Sequence, residues 1–330
     1  CRRKRNLAGT GNNQGTCVPN PEESLPTTYF RGMLKQTPVC AADLISPEPQ
    51  PFKWRMGVKP LDNNNWLLVD QYRDADLKEI GRLIDTQRDE IIYSEPSAQA
   101  GCEELSGEVL RHLRQKPDLE NVTINQHNDY TPIEAIRRIV QEDLCLLERR
   151  PEGWTMTACA VAIPTQWDVP SKYGKTLDAI HGPVPRYDTD LSQPMGTFFD
   201  RLRPEAPVWR ANRTLTDDPS LRLMPQRRHQ PMNEDLTVAN VADRVWLRVE
   251  YQTLRRLPES GVIVFTIRIL RQKISSVADY PQAFGELLRS LMRMPSDVRG
   301  YKDSTWRHAR LIQEWALSTG QLTDQTLTES

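Results

Sequence analysis

The chain has 330 residues, 38% of them hydrophobic, with eight tryptophans and a net charge of −1. That length suits one large domain or two ordinary ones, and the balanced charge excludes a global attraction to nucleic acid or an acidic partner. Six cysteines stand apart at positions 1, 17, 40, 102, 145 and 159, with no CxxC and no Cys/His cluster, which excludes a zinc or iron–sulfur site built from this chain alone.

The sequence begins "CRRKRN", a basic run of the kind that flanks the cytoplasmic side of a membrane span. An N-terminal anchor ahead of Cys1 is one expectation, and a processed or fragmentary start is the other; no stretch of about twenty apolar residues follows. Residues 1–50 are rich in Gly, Asn, Pro and Thr and read as a flexible linker, or an arm that wraps the domain. The main domain is expected over 51–318, with 319–330 as a disordered tail. Buried, reduced thiols at Cys145 and Cys159 suit a cytoplasmic protein.

Within 51–318, "DADLKEIGRLIDTQRDEII" predicts a helix capped by Asp76, with Glu79 three residues on. "EELSGEVLRHLRQKP" predicts a second, stopped by Pro117. "TPIEAIRRIVQEDLCLLER" predicts a third: Thr131 caps it, Pro132 opens it, and Ile133, Ile136, Val140, Leu144 and Leu147 form one stripe. The period then changes to two. "WTMTACAVAIP" reads as a central strand. "RVWLRVEYQTLRRLPESGVIVFTIRIL" reads as a hairpin turning at Pro258–Gly261. Two more helices are expected near 279–294 and 303–317. Helices around an antiparallel sheet make the expected fold class α+β.

Two features invite chemistry. On the first hairpin strand, Trp246, Arg248, Glu250 and Gln252 alternate with Val245, Leu247, Val249 and Tyr251. The polar row either meets solvent or lines a cavity, where its members must pair with each other or a ligand. The second feature is "LDAIHGPVP", which ends an apolar run on His181 immediately before Gly182 and Pro183. Such a histidine is either dipole-stabilised at a helix terminus or a ligand held in a fixed orientation. His112, on a helix among arginines, and His127, His229 and His308, in polar or surface-like settings, are weaker candidates. The pairs Arg227-Arg228 and Arg255-Arg256 read as solvated surface.

"VQEDLCLLER", "GWTMTACAVAIPTQW", "KYGKTLDAIHGPVP" and "LRVEYQTLRRLPESGVIVFTIRIL", in that order, resemble the haem-dependent oxidative N-demethylase alpha-subunit-like family. The resemblance runs from Phe52-Lys53-Trp54 and "WLLVDQY" to "YKD" at 301–303. It implies a PAS-like antiparallel sheet flanked by helices, with a b-type haem pocket on one face. It also implies O2-dependent removal of a methyl group from a small methylated amine, with formaldehyde released and electrons from an external flavin/iron–sulfur reductase. On this resemblance His181 is the iron ligand, and Asp178 accepts its second ring proton. Lys172, Lys175, Arg186, Arg210 and Arg255 are propionate partners, Pro183 and Gly182 shape the approach to the porphyrin, and Trp167 and Tyr173 pack on it. Glu250, with Arg248 and Gln252, would hold the amine or deliver protons. Tyr251, where the family suggests a basic residue, and Arg213, where it suggests tryptophan, are departures expected in or near the pocket. A haem-binding sensor or carrier without turnover, or an interaction module that has lost haem, are the alternatives.

Overall fold

The structure is a computed structural model and describes residues 40–46, 56–125, 129–226 and 230–322. The expectations for residues 1–39, Phe52-Lys53-Trp54, His127, Arg227-Arg228, His229 and 323–330 lie outside the described residues. Among the described residues, seven strands form one antiparallel sheet: β1 (Lys59–Pro60), β2 (Ile92–Ser94), β3 (Asp143–Arg150), β4 (Gly153–Ala160), β5 (Val208–Thr216), β6 (Trp246–Arg256) and β7 (Ile263–Lys273). Their spatial order is β1-β5-β6-β7-β3-β4-β2. The helices are α1 (Arg73–Ile91), α2 (Gln99–Leu113), α3 (Pro132–Arg137), α4 (Leu177–His181), α5 (Ser192–Arg201), α6 (Val241–Arg244), α7 (Ile274–Ala278), α8 (Pro281–Met292), α9 (Ser296–Tyr301) and α10 (Asp303–Ser318). The expected α+β class is what is observed. No helix among the described residues is long and apolar enough to cross a membrane.

The hairpin is the spine of the sheet. β6 and β7 pair over eleven positions, from Trp246↔Lys273 to Arg256↔Ile263, and Gly261 supplies the positive φ that the turn needs. The pleat then sends alternate residues to opposite faces. Leu247, Val249, Tyr251, Val264, Leu146 and Ala158 share one face and form the main core with Ile80, Leu105, Phe284 and Ile312 from α1, α2, α8 and α10. Arg210, Asn212, Glu250, Gln252, Phe265 and Cys145 share the other face. That second face is covered by residues 163–175, α4 and α5.

The predicted third helix is corrected. It begins as expected, with the Thr131 hydroxyl accepting from the Glu134 N–H at 3.4 Å, but it ends at Arg137, and Asp143–Arg150 is a strand. The buried Arg137 guanidinium donates to Asp143 Oδ1 at 2.8 Å and to the Val140 carbonyl at 2.7 Å, closing the corner between helix and strand. β3 lies between β7 and β4, so Leu144–Leu147 is buried on both faces, and such a run carries no period that separates strand from helix. Asp76 is also corrected. α1 starts at Arg73, and Asp76 is a buried partner of Gln141 and Arg268 inside it. Residues 40–46 pack against the core, with Ala41 and Ile45 fully buried and the Ala42 N–H donating to Gln272.

Candidate functional site

The segment before α4 is tied to β4 by backbone bonds: Met156 N–H to the Lys175 carbonyl and Gly174 N–H to the Met156 carbonyl, both 3.0 Å. Gly174 sits at φ +71°, which completes this turn. Thr176 then caps α4, its hydroxyl accepting from the Ala179 N–H. His181 thus ends a short helix seated above the second face of the sheet.

The His181 ring is half-buried. Its Nδ1 lies 2.9 Å from the Leu177 carbonyl oxygen, an acceptor, so this nitrogen carries the proton. Nε2 is then the lone-pair nitrogen, and it has no hydrogen-bond partner among the described residues. The ring stacks on Tyr187 with centroids 5.2 Å apart and planes 15° from parallel. The Tyr187 hydroxyl donates to Asp178 Oδ1 at 2.8 Å, and Ser192 donates to the same oxygen at 2.9 Å. Asp178 therefore orients His181 through Tyr187, which corrects the expectation that it takes the ring proton directly. Desolvation, with the nearby charges of Arg210 and Lys172, lowers the His181 pKa and favours the neutral ring.

The residues after His181 differ from expectation. Gly182 is right-handed, and a Cβ there would meet nothing closer than 3.5 Å. Pro183 is exposed. The carbonyl of Leu177 and the face of Tyr187 hold the ring, and prolines do not. Sequence reading missed Tyr187 because it stands six positions beyond His181, past Gly182–Arg186, at the start of a π-helical turn that no local pattern announces.

The face of the sheet that α4 covers presents Arg210, Asn212, Glu250 and Gln252. Glu250 Oε2 accepts from Asn212 Nδ2 at 3.0 Å and Gln252 Nε2 at 2.8 Å. Oε1 has no hydrogen-bond partner among the described residues. The Arg210 side chain makes no hydrogen bond or ion pair among the described residues, and its buried Nε–H is without an acceptor. Burial lowers its pKa, offset in part by Glu250. Arg210 is close enough to His181 to lower its pKa, and the Glu250 charge in turn supports the charge of Arg210. Apolar walls come from Met156, Val161, Val169, Ile180 and Phe265, with Trp167 and Tyr173 half-buried among them. Tyr173 packs against Tyr93, with ring centroids 4.8 Å apart and planes tilted by 32°.

Other predicted residues stand elsewhere. Arg248 shares the Glu250 face, but its guanidinium donates to Thr165 Oγ1 at 2.8 Å and to the carbonyls of Ile163, Pro164 and Ser220. It binds β6 to the 163–165 segment, and burial pushes its pKa down to about 10. Arg255 is a correction: it lies on the opposite face, 4.0 Å from the Trp66 ring centre and near Glu108. Arg256 likewise covers Trp154 at 5.1 Å, so neither arginine is simply solvated. Lys172 reaches the Ile180 carbonyl at 2.7 Å, Arg186 is exposed and pairs with Asp190, and Lys175 is exposed. Tyr251 and Arg213 are also corrected. Both point away from this site, Tyr251 to the Asn65 carbonyl at 3.0 Å and Arg213 to the Leu44 carbonyl at 3.1 Å. His112 and His308 are buried, against Trp66 and beside Asp217 respectively.

A flat cofactor with one axial ligand suits this arrangement. It needs a neutral imidazole with one nitrogen anchored and the other open, apolar walls, and a cation for its acid groups. His181, the Met156–Phe265 walls and Arg210, whose buried N–H lacks an acceptor, supply these in turn. Compared with known families, residues 57–311 match the family model described as haem-dependent oxidative N-demethylase, alpha subunit-like.

Proposed function

The chain belongs to the haem-dependent oxidative N-demethylase, alpha subunit-like family, and from that premise we propose that it oxidatively demethylates a small methylated amine at a b-type haem held by His181. The observation that carries this reading is the His181 ring, anchored through Nδ1 and Tyr187 with Nε2 lacking a hydrogen-bond partner among the described residues. The sheet and helices of this chain then correspond to the family's PAS-like pocket.

Bound haem supplies O2 activation and the oxidising power for the N-methyl carbon. The balance is R2N–CH3 + O2 + 2e⁻ + 2H⁺ → R2NH + CH2O + H2O, with electrons from an external flavin/iron–sulfur reductase. His181 holds the iron through Nε2. Arg210 meets a propionate, with Lys172, Lys175 and Arg186 flanking the end of α4. Glu250 Oε1 accepts an N–H from the cationic amine, or holds a proton at that oxygen for delivery. Arg248 acts as a positioning residue, holding the 163–165 segment over the site. Met156, Val161 and Phe265 exclude water.

The test is reconstitution. With haem supplied, the protein should show a Soret band, and His181→Ala should lose it while retaining its far-UV circular dichroism. With a surrogate reductant and a methylated amine, formaldehyde should appear in step with O2 consumption. A Soret band without formaldehyde identifies a haem-holding sensor or carrier. No Soret band identifies a module that has lost haem.

A further inference from the structure

Beyond its pairing with β1 at Lys59 and Pro60, the outer edge of β5 is covered by the junction of α9 and α10. The Leu215 N–H donates to Thr305 Oγ1 at 3.3 Å, and the Arg213 carbonyl accepts from Lys302 Nζ at 3.2 Å. Lys302 is the residue between the two helices. Its N–H bonds the Val298 carbonyl, and its carbonyl accepts from Trp306. Its backbone is therefore held from both sides, and its side chain crosses the β5 edge. It ends 2.8 Å from Asn212 Oδ1, on the face that carries Glu250.

We propose that Lys302 is a positioning residue that sets the amide of Asn212 and, through it, the carboxylate of Glu250 for binding a methylammonium substrate. An ammonium only donates and a carboxylate only accepts. Between Lys302 and Glu250 the Asn212 amide has one orientation that satisfies both neighbours: oxygen to Lys302, NH2 to Glu250. Asn212 and Gln252 then donate to the same atom, Oε2. That fixes the carboxylate rotamer and leaves Oε1 facing the site as an acceptor for a cationic N–H. Without the ammonium the amide oxygen has lost its donor, and only the bond to Glu250 still holds the side chain in place. Glu250 would then turn away or lose its fixed direction.

The inference rests on the amine-oxidising reading, but its first measurement does not. In protein labelled with 15N-asparagine, the Asn212 side-chain NH2 pair, assigned by its loss in Asn212→Ala, should be protected from solvent exchange. In Lys302→Met exchange should quicken at least tenfold, and in Lys302→Arg it should stay slow. In the haem-loaded enzyme, Lys302→Met should raise KM for the amine about tenfold, change kcat less than twofold and leave the Soret band unmoved. Asn212→Ala should show a similar KM rise, and the double variant should be no worse than either single one. An Asn212 signal unchanged in Lys302→Met, or KM effects that multiply in the double variant, would overturn the proposal. If wild-type protein turns over no methylated amine, the functional reading fails, and the exchange measurement still decides the role of Lys302.

Discussion

The two faces of the sheet are built from the same strands, yet they do opposite things. On one face Leu247, Val249 and Tyr251 are fully enclosed by α1, α2, α8 and α10, and two long polar side chains there are anchored, the Tyr251 hydroxyl on the Asn65 carbonyl and Arg268 on Asp70. On the other face His181 Nε2, Glu250 Oε1 and the Arg210 guanidinium lack hydrogen-bond partners among the described residues. Buried polar groups without partners are costly. One face thus packs the main core, and the other carries the open groups on which the proposed function rests.

Substitutions on the two faces should separate in the same way. The largest loss is expected from Leu247→Ala on the enclosed face, about 4 kcal/mol by urea denaturation, with little change in haem affinity per folded molecule. Arg248→Met, which strands four acceptors at the 163–165 segment and Ser220, should cost about 3 kcal/mol. Unlike Leu247→Ala, it should also weaken haem retention; an unchanged haem off-rate would remove its positioning role.

Acid adds a comparison within one residue type. Burial pushes the His112 pKa down to about 4 from 6.5. Its neutral form is favoured in the folded state, so the stability it permits is complete above pH 6.5 and declines as pH falls toward 4. The span is about 3 kcal/mol, and His112→Asn should flatten that part of the stability–pH curve. His181 is lowered in the same sense, so its neutral folded form adds to the same acid loss.

The smallest pair is the most discriminating. Tyr251→Phe removes one buried hydrogen bond and should cost about 1 kcal/mol without altering amine KM. Glu250→Gln should change stability by less than about 1 kcal/mol and raise amine KM at least tenfold. A reversed outcome would exchange the roles assigned to the two faces.

Much of this could be read before folding. Alternation along Trp246–Gln252 declared a two-faced strand, and the Pro258–Gly261 turn declared its partner. The position of His181 ahead of Gly182 and Pro183 marked a helix end worth attention. The departures at Tyr251 and Arg213 were misjudged because sequence shows which residues share a face but not which face meets the ligand. Leu144–Leu147 misled for a related reason: burial on both sides erases the period on which helix and strand are told apart.

By itself, the sequence determined local geometry: the strand alternation of the hairpin, the Thr131 cap, and the family to which residues 57–311 belong. Only tertiary structure decided that Tyr187 steadies His181, that Arg248 is consumed by loop carbonyls while Arg210 is left over, and that Lys302 reaches Asn212 across ninety positions of chain. The physical reason is that propensity and periodicity act over a few residues. Partners for a buried charge or an open lone pair are set by whichever distant segments the packed sheet brings within hydrogen-bond reach.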